Sequence, residues 1–402
     1  SFLSTQRVSD YSRWCMVSDK DGLQFYDKPS ERPDTPYALN GLYYIKKSNM
    51  LYSALSEQLN DSSNKIANEY QISTALSTVA KKIEMKLHEV KVIDFGTLEE
   101  YLRNKSVKNS RSFNEVLVQD DTITKSSSKA REKIVQEVNW YNNIPNEIKI
   151  STPRILSTDF FSSSSSYTME KILAPSVREV YLFLDSTAET WDDIFSSMFT
   201  LLNKMEKYSC ENTFMDKVIS KTESRVSNID FDIDKDEARE FINILKEEVP
   251  KYNRPALMHG DFCFSNLLYD FQSSRIIMID PRGELFGDHY YEIAKICHSV
   301  LFDYDFIDAE LYTYNGDYTL YNKGKDNIKK LFKELLDEKY SSAEQNYIML
   351  ISASLFLSMI PLHSHNKINQ KIYYNVFKNI FRTYKNTNNT NNTNNTKEKH
   401  VK

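Results

Sequence analysis

The chain has 402 residues, 40% of them hydrophobic and 27% charged, which fits a globular protein of two or three domains. A formal net charge of −5 excludes a general attraction to nucleic acid or to an anionic membrane surface. Cys15, Cys210, Cys263 and Cys297 lie far apart with no Cys-x-x-Cys pair, which speaks against a zinc site or a disulfide framework and fits a reducing, cytoplasmic setting.

The opening SFLSTQRVSDYSRW turns polar after three residues, so no signal peptide is expected; residue 1 is Ser, which leaves a fragment open. Lys20-Asp21-Gly22 is a turn signal between two β-like runs and predicts a hairpin closed by Asp27-Lys28-Pro29. Gly41 precedes a short strand over 42–45, the pattern over 73–86 is helical, and 90–95 is a β run entering the turn Asp94-Phe95-Gly96-Thr97, followed by a helix start over 98–103. This order resembles the C-terminal half of sugar nucleotidyltransferases. The resemblance implies that Lys28, with Asp27 beside it, contacts a sugar phosphate, that Gly41, beside Asn40, lets the sugar approach, and that Asp94 binds a metal. The family's Gly-rich, Arg-containing phosphate loop does not occur among these 402 residues, which include only eight glycines. Residues 1–105 are therefore expected to be a partial α/β segment without catalysis of its own, with truncation of a bifunctional enzyme as the rival.

A polar linker over 105–109 marks a domain boundary, and Ser110-Arg111-Ser112-Phe113-Asn114 opens a new pattern. Val116 and Val118, a turn at Asp120-Asp121 and a return strand over 122–125 predict a β-hairpin, with Ile123 and Lys125 on one face. An amphipathic helix over 129–142 follows and carries Glu137. Further strands are expected over 153–158 and 167–172 around the serine run 162–166. Helices are expected over 177–184, 190–208 and 236–248.

The most informative stretch is Leu257–Gly287. His259-Gly-Asp261-Phe-Cys-Phe-Ser-Asn266 is a polar loop, and a β run over 275–279 ends at Asp280-Pro-Arg-Gly. Two carboxylates and an amide at this spacing are what metal-assisted phosphoryl transfer requires. The spacing His-x-Asp-x-x-x-x-Asn is that of the protein-kinase catalytic loop, with Gly260 in place of Arg and Asp280-Pro281 in place of Asp-Phe-Gly. This variant resembles the aminoglycoside phosphotransferase and choline kinase family. The resemblance implies an α+β, bilobal protein-kinase-like fold, with a small β-rich N-lobe over 107–172 and a mostly helical C-lobe over 173–385. It implies Mg²⁺ and ATP as cofactors, Asp261 as the group that orients the acceptor hydroxyl, and Asn266 and Asp280 as metal ligands. Lys125 and Glu137 are the phosphate-binding pair, Ser110 and Ser112 cover the phosphates, and Met169, Glu170 and Ile172 form an adenine-binding hinge. His259 and Asp288 support the loop, Asp288 either by bracing it through His259 or backbone amides, or as a helix N-cap.

A helix over 290–302 follows Asp288. The apolar run 347–362, interrupted by serines, is short for a membrane span and reads as a buried helix ended near Pro361. His363 and His365 lack an acid or Cys cluster and are expected to line the substrate pocket. The Asn/Thr repeats of 386–402 are expected not to fold. The reading is an ATP-dependent kinase of a small-molecule hydroxyl, a sugar feeding nucleotide-activated precursors for surface polysaccharide. A choline or ethanolamine kinase linked to a cytidylyltransferase, and a nucleotide-binding pseudokinase scaffold, stay open. So do oligomerisation and a separate nucleotidyltransferase partner.

Overall fold

The computed structural model describes residues 1–398 apart from 61, 62, 64, 67, 68, 91, 93–114, 120, 162 and 232, and omits the side chains of 388–398. Two compact units divide between Asn104 and Lys105.

In the first unit, strands β1 (Phe2–Arg7), β2 (Cys15–Ser18), β3 (Gln24–Asp27), β4 (Tyr37–Tyr44) and β7 (Lys86–Glu89) form one sheet in the order β3-β2-β4-β1-β7. The Lys20-Asp-Gly22 turn joins β2 to β3 as expected, with Gly22 at φ +90°. Leu3, Val17, Leu39 and Leu76 form its core, and helices α1 (Ser48–Leu59) and α2 (Ile72–Ala80) pack through Ala54, Ala75 and Val79. A short pair, β5 (Lys65–Ile66) and β6 (Glu69–Tyr70), lies between the helices in sequence. The helix expected over 73–86 ends at Ala80, because Lys86–Glu89 is drawn into a parallel pair with β1. That pairing is non-local, and helical periodicity cannot anticipate it. Likewise, β4 begins at Tyr37 because Tyr37–Leu39 pairs with β1 before the expected strand start.

The second unit opens with an antiparallel sheet of β8 (Glu115–Val118), β9 (Thr122–Ser127), β10 (Ile155–Phe160) and β11 (Ser165–Glu170), in the order β10-β11-β9-β8. β11 alternates strictly, burying Ser165, Tyr167 and Met169, so Ser165 and Ser166 of the serine run belong to a strand rather than to the loop expected there. Helix α3 (Arg131–Asn143) carries Glu132 in its first turn and buries Ile134, Val138 and Tyr141, at one-turn spacings, against this sheet.

The rest is mostly helical: α4 (Val177–Phe183), α5 (Ala188–Glu206), α6 (Phe214–Ser227) and α7 (Lys235–Tyr252) precede the loop region. Ser176 closes a capping box with Glu179 at the start of α4, and Asp234 caps α7 through the backbone N–H groups of Asp236 and Glu237. After the loop region come α8 (His289–Val300), α9 (Asp326–Lys339), α10 (Ser342–Met359) and α11 (Lys367–Glu398). Helix α10 is long and apolar enough to cross a membrane by length and composition, but it is largely buried in this core. Two of its buried serines bond within the helix: the Ser352 hydroxyl donates to the Ile348 carbonyl at 2.9 Å and Ser354 to Ile351 at 2.7 Å. Helix α11 continues through the Asn/Thr repeats, where no folded element was expected. Its anchored half buries Tyr373, Phe377 and Phe381, and the later backbone prolongs that helix.

Candidate active site

Two short antiparallel strand pairs frame the site. β12 (Pro255–Leu257) pairs with β15 (Phe286–Asp288), and β13 (Leu267–Asp270) pairs with β14 (Arg275–Met278). The loop 258–266 leaves β12 and enters β13 through a 3₁₀ turn, Phe264–Asn266. Phe262 and Phe264 are fully buried and pin the loop, while Asp261, Ser265 and Asn266 on either side of them stay partly exposed. Gly260 has φ +79°, and a Cβ there would sit 2.7 Å from the Arg282 side chain, so the position needs glycine on both counts.

Asp261 is the centre. One carboxylate oxygen, Oδ2, accepts from Asn266 Nδ2 at 2.8 Å, and the other, Oδ1, meets Lys295 Nζ at 2.8 Å. Burial acts to raise the Asp261 carboxyl, but Lys295 outweighs it and holds the group well below the usual carboxylate range. The same partnership pushes the Lys295 ammonium up against its own burial. Asp261 is therefore an anion at any working pH, with its side chain 39% exposed. Asn266 spends its amide hydrogens on Asp261, donating also to the Asp261 carbonyl at 3.0 Å, which fixes the amide oxygen on the other side.

His259 is buried and neutral, its imidazole pushed down to about 4 by burial. Its Nε2 meets the Ile279 carbonyl at 2.9 Å and its Nδ1 accepts from Asp261 N at 3.3 Å, so it ties the loop to the end of β14. Trp140 of α3 stacks edge-on with it at 5.5 Å and donates its indole N–H to the Met258 carbonyl at 2.6 Å.

Asp280, just past β14, adopts φ +56°, a left-handed conformation that costs a non-glycine residue about 1 kcal/mol or more. That turn brings its carboxylate to Lys125 Nζ at 3.2 Å, while leaving its side chain 48% exposed. Lys125, on β9, is buried and also meets Glu137 of α3 at 2.7 Å; Tyr167 donates to the same Glu137 oxygen at 3.0 Å. Burial acts against the Lys125 ammonium, but the carboxylates of Asp280 and Glu137 outweigh it and keep it charged. The expected Lys125–Glu137 pair thus forms, and Asp280 joins it. Asp261, Asn266, Asp280, Lys125 and Glu137 belong to one connected region through His259, Ile279 and β14.

The residues expected to form a hinge are placed differently from one another. Met169 points into the core, and Glu170 accepts from both Arg154 N at 2.9 Å and Arg154 Nε at 3.0 Å, so its carboxylate serves the sheet edge. Ile172 packs with Ala174, Leu268, Ile277 and Ile279 in a small apolar cluster beside β13 and β14.

Asp288 does not touch His259. Its Oδ1 accepts from Tyr290 N at 3.0 Å and Arg254 N at 3.3 Å, and its Oδ2 accepts from the Tyr347 hydroxyl at 2.7 Å. It caps α8 and fixes the start of β12. The loop itself is braced by Glu292, whose Oε1 accepts from Gly260 N at 2.7 Å. Glu292 and Lys295 lie one turn apart on α8, facing the loop, and neither stood out in the sequence. The legible signal was their one-turn spacing on the helix that follows Asp280 and β15.

Burial raises the Asp288 carboxyl to about 6, against an ordinary 3.8. A carboxyl raised by folding gives stability that is full below the unfolded value and is lost as pH rises through the folded one. Asp288→Asn keeps an oxygen for the two backbone N–H groups and cannot ionise. We expect the variant to gain on wild type between about pH 4 and 6, by at most about 3 kcal/mol. Urea melts across that window, with parallel pH profiles for the two proteins, would contradict this.

Ser110, Ser112 and Asp94 lie outside the described residues. Lys28, at φ +42°, pairs with Glu69 at 3.2 Å, and Asp27 accepts from the Ser73 hydroxyl. Gly41 has φ +92° with open space where a Cβ would stand. In the sheet β2 lies between β3, which Lys28 follows, and β4, which holds Gly41. His363 and His365 lie at and after a 3₁₀ turn, Ile360–His363, with His363 edge-on to Tyr373 of α11. No cluster of three or more His, Cys, Asp or Glu suited to a metal occurs among the described residues.

No family model matches the chain, and no curated protein matches it. Among solved structures it resembles a choline kinase from Streptococcus pneumoniae, with 13% identity over 69% of this chain and 91% of that one and a TM-score of 0.46. A choline/ethanolamine kinase family protein from Mesorhizobium loti is similar at 12% identity, over 71% and 94%, with a TM-score of 0.45. An aminoglycoside phosphotransferase from Streptomyces rimosus, in complex with ADP and streptomycin, is similar at 11% identity over 64% and 98%, with a TM-score of 0.41.

Proposed function

We propose that residues 105–402 form an ATP-dependent phosphotransferase acting on a hydroxyl of a small molecule. The observation that carries the reading is the constellation itself: a buried lysine held between Glu137 and Asp280, and an outward Asp261 locked by Asn266. The donor set suits Mg²⁺, which prefers one or two protein oxygens and takes the rest from phosphate and water. The Asn266 amide oxygen and the half-exposed Asp280 carboxylate would hold it, and it would neutralise the triphosphate's charge. Lys125 binds phosphate oxygens. The Ile172, Ala174, Leu268 and Ile277 cluster offers an apolar floor for adenine.

In the reaction the acceptor oxygen forms a bond to the γ-phosphorus as the bond from that phosphorus to the bridging oxygen breaks, and ADP leaves. The acceptor's proton passes to an Asp261 oxygen. Because Lys295 keeps Asp261 a weak base, its work is chiefly to orient the hydroxyl, with the proton arriving late. A sugar acceptor, with the product feeding nucleotide-activated precursors for polysaccharide, is the reading favoured by the sugar-nucleotidyltransferase pattern of residues 1–105. The test is transfer of label from γ-³²P-ATP to a panel of sugars, choline and ethanolamine. Labelled acceptor supports the proposal, and the absence of both acceptor labelling and Mg·ATP binding rejects it.

The first unit is not expected to transfer a nucleotidyl group alone. Lys28 supplies a point charge for phosphate, but no Gly-rich loop is present to cradle a triphosphate. Incubation of the chain with nucleoside triphosphates and sugar 1-phosphates should release no pyrophosphate above background. Sustained release would show that the first unit is catalytically complete.

A further inference from the structure

Beyond Lys295, positive charge continues along one side of Asp261. The Tyr291 ring carries the Lys295 ammonium at 5.9 Å and the Arg282 guanidinium at 6.0 Å. Arg282 also lies over Phe214 at 5.0 Å and donates to the Tyr291 hydroxyl at 3.2 Å, so its plane is fixed. Arg225, on α6, donates to the Ser358 hydroxyl at 2.7 Å. Lys221, one turn earlier on α6, has no hydrogen-bond or ion-pair partner among the described residues. Lys221 is exposed at the surface, but partial desolvation, then the charges of Arg282 and Arg225, lower its ammonium to about 8, and Arg225 is lowered by burial and by Arg282. Glu284 is the carboxylate near them, 3.5 Å from Arg282. Among the described residues Glu284 is thus the one carboxylate that ion-pairs with any of the three cations, though Asp261 also acts on Arg282, and both guanidiniums keep N–H groups with no partner there.

Such an arrangement is unfavourable on its own and is relieved by an anion. It lies on the Lys295 side of Asp261, whereas Asn266 occupies the other carboxylate oxygen. We propose that Lys221, Arg225 and Arg282 form the acceptor's anchoring subsite and that the acceptor carries an anionic group, a carboxylate or a phosphate, besides the hydroxyl that is phosphorylated. The inference rests on the phosphotransferase reading for the word acceptor; the anion site itself does not. Arg282 supplies the planar fork that matches either oxyanion, and Lys221 adds an adaptable point charge at the rim. A quaternary ammonium or a polycationic sugar would meet repulsion here. That separates this site from a choline or aminoglycoside pocket.

The experiment uses the full chain with matched probes: glycerol 3-phosphate against glycerol, galacturonate against galactose, and choline, followed by calorimetry and saturation-transfer NMR at low salt. The anionic member of at least one pair should bind about tenfold or more tighter than its neutral partner, with the pair identifying phosphate or carboxylate. Lys221→Glu should bring that ratio close to one, and Lys221→Arg should preserve it. Lys221 is exposed, so both variants should keep the wild-type melting temperature. A ratio near one in wild type, a ratio that survives Lys221→Glu, or tighter binding of choline than of either anion overturns the proposal. Titration with Mg·ADP runs in parallel. Its failure would remove the phosphotransferase reading while leaving the anion preference to be read by itself.

Discussion

Asp261→Asn should lower kcat by roughly 10²–10⁴-fold, the usual size of a lost general base, while leaving Mg·ATP affinity nearly intact. The substitution keeps the shape and can still bond Asn266, but it removes the proton acceptor and the counter-charge of Lys295. The readouts are single-turnover rates and a nucleotide titration on the same preparation. Asp261 is placed to orient a hydroxyl, so transfer should be one in-line displacement with inversion at the γ-phosphorus. The competing role is nucleophile, since carboxylates can form phosphoenzymes. Retained configuration, a trapped phosphate on Asp261, or a rate within tenfold of wild type would defeat the assignment.

Asp280→Ala should weaken Mg·ATP binding by about 100-fold or more, roughly 3 kcal/mol, and remove most of its metal dependence. The carboxylate is the more exposed of the two that face Lys125, and so the one free to reach a cation. Calorimetry with and without Mg²⁺ is the measurement. Unchanged affinity would mean that the triphosphate's charge is balanced elsewhere. Together the two variants separate binding from chemistry: Asp280 should act on affinity and Asp261 on turnover.

The parts of this site that were legible in the sequence are local. The His259, Asp261 and Asn266 loop and the Asp280 strand end lie within one short stretch, where spacing alone fixes their order. The Lys125–Glu137 pair was legible because a strand and the helix after it must pack together. What was missed is non-local. Lys295 and Glu292 reach the loop from a helix whose facing direction depends on the β12–β15 pair. Asp288 was expected to brace the loop through His259 or backbone amides, or to cap a helix, and it does cap one. Its bonds to Arg254 and Tyr347 come from residues 34 and 59 positions away, and no pattern near Asp288 encodes them. The overlong helix at 73–86 has the same origin: β7 forms because β1 is there to receive it.

The lysine between two acids has a thermodynamic consequence. One ammonium answers both Glu137 and Asp280. A cation arriving alone must take Asp280 away from Lys125, and a triphosphate arriving alone must take Lys125 away from Asp280. Each entrant then bears the whole cost of breaking that contact. Arriving together they share it, since the metal receives the carboxylate that the phosphate displaces. On the proposed reading, metal and nucleotide therefore bind with positive coupling, and by reciprocity each raises the other's affinity by the same factor.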